Sequence, residues 1–139
     1  MTTNAISGVG TVFNRGDGAS SENFSAIAEI NTIGGPNMSR NFIDVTSLDS
    51  AGGYREFIPS FRDAGQISLN MNFTIGGYGT MLTDFQAETS NNYQIVLPDS
   101  GETTLDFAAY VQDLPLNINE DKVAMDVTLK ITGSVTLTS

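Results

Sequence analysis

The chain has 139 residues, with 16 acidic and 6 basic side chains for a net charge of -10, and it contains neither cysteine nor histidine. That length suits one domain with a core of its own, and the missing residue types exclude a disulfide framework, a thiolate metal site and zinc, Ser-His-Asp or Cys-His catalysis. The acidity favours solubility and opposes tight binding to DNA or RNA.

The N-terminus, MTTNAISGVG, has no basic segment followed by an apolar one, so no signal peptide is expected. No run approaches the about 20 apolar residues that span a bilayer. Residues 1–20 are polar and glycine-rich and predict a flexible arm with one short strand around Gly10 to Phe13. Within them Arg15-Gly16-Asp17 reads as a turn rather than as an adhesion motif. Phe24 to Ile33 is rich in β-branched and small residues, closes on Gly34-Gly35-Pro36 and leads to a second strand near Asn41 to Leu48, which predicts a hairpin.

A long loop is expected from Asp49 to Ala64, where Gly52, Gly53 and Pro59 argue against helix. There Tyr54, Phe57, Ile58 and Phe61 are interleaved with Arg55, Glu56, Arg62 and Asp63, the aromatic-plus-arginine profile of interface cores. The strand Gln66 to Phe73 alternates strictly, with Ile67, Leu69, Met71 and Phe73 on one face and Gln66, Ser68, Asn70 and Asn72 on the other. Gly76-Gly77 is read as its terminator, and Tyr78, Met81, Leu82 and Phe85 predict a helix over about Met81 to Glu88 capped by Thr80.

Three further strands are expected at Asn91 to Leu97, Thr104 to Gln112 and Lys122 to Leu137, separated by turns at Pro98 to Gly101 and Asn117 to Asp121. Asn117, Asn119 and Asp121 alternate like a calcium loop, but Lys122 and Thr128 stand where its glycine and glutamate belong. Seven strands and one helix predict a mainly β fold, a two-sheet sandwich or partly closed barrel with one flanking helix. No cofactor, metal or catalytic residue is expected, and the chain is read as no enzyme.

Two segments resemble a known family: Gly35-Pro-Asn-Met-Ser-Arg-Asn-Phe-Ile-Asp-Val-Thr-Ser-Leu-Asp-Ser50 and Tyr54-Arg-Glu-Phe-Ile-Pro-Ser-Phe-Arg-Asp-Ala-Gly-Gln-Ile-Ser-Leu-Asn-Met-Asn-Phe73. They are similar to the major tail tube proteins of long-tailed, siphovirus-type bacteriophages, and the resemblance runs from about Phe24 to Leu137. It implies a single tail tube domain over residues 1–139 and a structural virion protein made in the host cytoplasm. Six copies would close into a ring and the rings would stack into the conduit for DNA ejection. Partners would be the chain itself and the tail-tip, tape-measure and tail terminator proteins, with no membrane and no specific hold on the DNA in the lumen.

The same resemblance makes Asp49 to Ala64 an assembly loop. Contacts between subunits or rings are assigned to Arg40, Asp49, Tyr54, Arg55, Glu56, Phe57, Ile58, Phe61, Arg62 and Asp63, with Arg40, Arg55 and Arg62 meeting acids of neighbouring subunits. The lumen is assigned to Asp44, Thr46, Ser68, Asn70 and Asp126. The alternative reading is a monomeric β-sandwich module that binds carbohydrate or a surface protein, but it lacks tryptophan and an aromatic sheet face.

Overall fold

The computed structural model describes residues 6–17, 22–27 and 29–138. The expected arm over residues 1–20 therefore falls partly outside them. Among the described residues the chain forms ten strands and one α-helix. In chain order these are β1 (Val12–Gly16), β2 (Phe24–Ala26), β3 (Ile30–Gly34), β4 (Ser39–Asp44), β5 (Phe57–Asp63), β6 (Gln66–Asn72), α1 (Ile75–Gln86), β7 (Asn91–Val96), β8 (Thr104–Asp113), β9 (Leu116–Ile118) and β10 (Val123–Thr138).

Eight strands make one antiparallel sheet in the order β2-β1-β7-β8-β10-β6-β3, with β9 beside the start of β10. The 16-residue β10 is its spine: Val123–Met125 pair with β9, Ala124–Lys130 with β6, and Thr128–Thr138 with β8. The sheet curls, because β3 from one end and Leu97 beyond β7 near the other end line one cleft of about 670 Å³. It does not close into a barrel.

The inward face follows the alternation of the strands. Ile67, Leu69 and Met71 of β6 and Met125, Val127, Leu129 and Ile131 of β10 join Tyr93, Ile95, Phe107, Ala109 and Val111 in one buried cluster. Phe13, Tyr93 and Phe107 pack as a three-ring unit, with centroids 5.6–6.3 Å apart.

Five local expectations need correction. The helix starts at Ile75, not Met81, because Thr74 caps it: the Thr74 hydroxyl accepts from the Gly77 amide at 3.0 Å. Gly76 and Gly77 open that helix instead of ending the preceding strand, and a Cβ at Gly77 would press on the capping hydroxyl. The residues from Phe24 to Ile33 form two strands, β2 on β1 and β3 on β6, and neither pairs with β4. Arg15 and Gly16 lie within β1, so the tripeptide Arg15-Gly16-Asp17 is not a turn.

The fifth correction carries most for function. The second half of the expected loop is a strand: β5 pairs with β4 in a separate two-stranded sheet. Only residues 45–56 remain as a connection, with one 3₁₀ turn at Ala51–Gly53. Ala64 and Gly65 then turn the chain from this hairpin into β6. Gly65 has φ +84°, and a Cβ there would collide with the Asn37 carbonyl, so the junction requires glycine.

Candidate assembly surfaces

The β4–β5 hairpin is anchored to the body at Asn37 and Gly65 and pairs with no strand of the main sheet. Apolar side chains stand on both of its faces: Phe42 pairs with Pro59 and Ile43 with Ile58, on alternate sides of the ribbon. Phe42 is 62% exposed, Phe61 86% and Tyr54 77%. The Phe42 and Phe57 rings meet edge to face at 6.5 Å. A two-stranded ribbon is marginal alone in water, and this one exposes what a core would bury.

Its far end is tied by polar contacts within the chain. The Thr46 hydroxyl accepts from the Glu56 amide at 2.7 Å, and Arg55 bridges to Asp44 at 2.9 Å. Asp44 also accepts from the Thr46 amide, and with the Thr46 contact leading and Arg55 adding to it, the carboxyl is held below its ordinary pKa. The Ser50 hydroxyl donates to Glu56 at 2.7 Å. Thus Arg55 and Asp44, expected to reach neighbouring subunits and the lumen, meet each other first.

All ten residues assigned to subunit contacts are exposed and belong to the hairpin or its connection. The five lumen candidates divide. Asp44 and Thr46 go with the hairpin, whereas Ser68, Asn70 and Asp126 share the outward face of β6 and β10, where Asn70 pairs with Asp126 and Ser68 with Thr128. That face carries a ladder of amides: Asn70 donates to Asp126 at 2.6 Å, Asn117 donates to its other oxygen at 2.6 Å, and Asn31 reaches Asn70 and Asn72. Lys122 donates to Asn72 at 3.1 Å. With its carbonyls and carboxylate already occupied by amide donors, this face is polar without a cluster of free cations.

One functional feature is not evident from the sequence motifs. Asp84, on α1 and 7% exposed, accepts from Arg15 through both oxygens at 2.6 and 2.7 Å and from the Tyr93 hydroxyl at 2.6 Å. This triad ties the helix to β1 and β7. Burial, then the bond to Asp84, pushes the Tyr93 phenol well above its ordinary pKa. The available signal was parity: Arg15 lies on the same side of β1 as buried Phe13, so its charge must meet an acid inside.

This mainly β chain, with two sheets and one flanking helix, has the tail tube fold of phage-like particles. Solved structures carry the likeness. A chain in the tail of an empty gene transfer agent particle with C6 symmetry superposes with TM-score 0.74 at 22% identity, covering 97% of this chain and 100% of that one. A chain of the sheath/tube terminator of an extracellular contractile injection system gives 0.74 at 15% identity, covering both chains fully. The SPP1 tail tube gives 0.65 at 13% identity over 91% of this chain and 74% of that one. No protein-family profile and no curated protein matches the chain.

Proposed function

We propose that the chain is a structural virion protein that closes into six-membered rings and stacks into a tail tube, the conduit for DNA. The observation that carries this reading is the hairpin: an exposed two-sided apolar ribbon on a fold otherwise well packed, which needs a neighbour to cover it. The C6 symmetry belongs to the gene transfer agent tail and supports the ring number here by likeness of fold. A cyclic, head-to-tail contact closes a ring without leaving sheet edges open.

The lumen wall is assigned to the amide ladder around Ser68, Asn70 and Asp126, and Asp44 and Thr46 are moved to the hairpin contact. Six copies at -10 carry roughly -60 formal charges, which lets DNA slide past without being held. The protein works by geometry and charge, and tail-tip, tape-measure and terminator proteins are its expected companions.

The test is assembly of the purified chain, read by sedimentation and negative-stain microscopy. Rings or tubes of six-fold symmetry are expected, and Phe57→Ala or Arg55→Ala should leave a folded monomer that assembles poorly. A wild-type chain that stays monomeric at all concentrations, or mutants that form normal tubes, would overturn the reading.

A further inference from the structure

Of the six cationic side chains, Arg15, Arg55 and Lys130 hold carboxylates and Lys122 donates to an amide. Among the described residues Arg40 and Arg62 hold none, although the chain carries an excess of ten acids. They are also direct partners in the β4–β5 register, so two like charges stand opposite each other on one face of the hairpin. Such a pairing is unfavourable unless an anion sits against it. Both line an open cleft of about 970 Å³ between the hairpin base and the second half of β10, with Met38, Phe61 and Val135 as apolar walls. Asp63 in the same cleft is already engaged by Lys130 at 3.3 Å and by the Gly65 amide.

The complementary feature lies at the other end of the spine. Glu120 and Asp121 are both exposed, sit in the tight turn closed by the Asn119 amide on the Lys122 carbonyl, and among the described residues make no ion pair or hydrogen bond through their side chains. They are adjacent carboxylates without a partner, matching two adjacent arginines without one. Nine residues of β10 lie between Val123 and Gly133, roughly 30 Å of extended chain, so the two charge pairs cannot meet within one molecule.

We propose that the Arg40–Arg62 cleft receives the Glu120–Asp121 turn of a second copy. The two patches differ, so the contact is head-to-tail: it can repeat around a ring or along a stack without self-quenching in a closed pair. Charged matching of this kind fixes register and speeds association, and salt weakens it. The inference rests on the tube reading and names the acids that the hairpin arginines meet.

The test uses full-length chains with reversed charges. R40E/R62E alone and E120K/D121K alone should need at least about tenfold more protein to assemble than wild type. A 1:1 mixture of the two should recover assembly, because each cleft then faces a turn of opposite sign. If the mixture stays monomeric while wild type forms tubes, the pairing falls and the tube reading stands. The same holds if R40Q/R62Q assembles like wild type with unchanged salt dependence, as it would if the arginines served DNA or another protein. Should wild type itself never assemble, both fall.

Discussion

At the scale of residues, the Arg15–Asp84–Tyr93 triad governs stability more than any surface ion pair. Arg15→Met leaves a buried carboxylate with only the Tyr93 hydroxyl and is expected to cost about 3 kcal/mol in urea unfolding. Asp84→Ala should cost about 2 kcal/mol, since the Arg15 side chain is 27% exposed and can turn to water. The raised phenol pKa of Tyr93 sets a sign for pH: its contribution is intact below the unfolded value of about 10 and is lost as pH rises towards the folded one. Thermal melts of wild type should therefore fall above pH about 10, and Tyr93→Phe should flatten that fall. The opposite window belongs to Asp63 and Asp99, held low chiefly by the Gly65 amide and by Thr103. Their contribution is present above the unfolded pKa of about 3.9 and disappears as pH drops through the folded values, so Asp99→Asn should shrink the loss of stability below pH about 4.

At the scale of elements, the junction between hairpin and sheet is set by Gly65. Gly65→Ala is expected to cost about 2 kcal/mol or more, because the new Cβ meets the Asn37 carbonyl and the backbone is left-handed. The same change should tilt the hairpin, so a variant that folds but assembles poorly fits the geometry; unfolding and assembly assays on one preparation separate the two effects. Thr74→Ala removes the cap of α1 and should lower stability by about 1 kcal/mol, measurable by helical circular dichroism and denaturant titration. Strands β6, β7, β8 and β10 were legible because each has a stretch with one buried and one wet face, which period two reports directly, whereas β9, exposed at all three of its residues, was read as the edge of a turn. The pairing of β4 with β5 was not, because both faces of that hairpin are exposed and leave no alternation of buried and wet positions to read. Helix α1 was misplaced for a related reason: Gly76 and Gly77 are locally breakers, and a cap from Thr74 overrides them.

At the scale of the whole molecule, the body and the hairpin divide the work. The main sheet encloses one continuous apolar core, whereas the hairpin and its Arg40–Arg62 pair stand exposed beside it. Deleting residues 38–63 and joining Asn37 to Ala64 through a short glycine linker is expected to leave a folded, monomeric body, because the core draws nothing from β4 or β5. Circular dichroism and sedimentation velocity check this, and loss of the fold would show that the hairpin supports the sheet. Likewise the amide ladder should be replaceable without unfolding: Asn70→Lys adds a cation to the assigned lumen wall, so tubes should form yet retain DNA more strongly.

By itself the sequence determined the strand-rich class, the faces of β6, β7, β8 and β10 and the unusual character of Tyr54 to Asp63, since alternation and composition are local records of burial. Only the tertiary structure decided that Arg15 belongs to a buried triad and that Arg55 and Asp44 satisfy each other. It also decided that Ser68, Asn70 and Asp126 share one polar face while Thr46 does not. The physical reason is that such pairings join residues from 9 to 69 positions apart, and a charge carries no sign in the sequence of which partner it will meet.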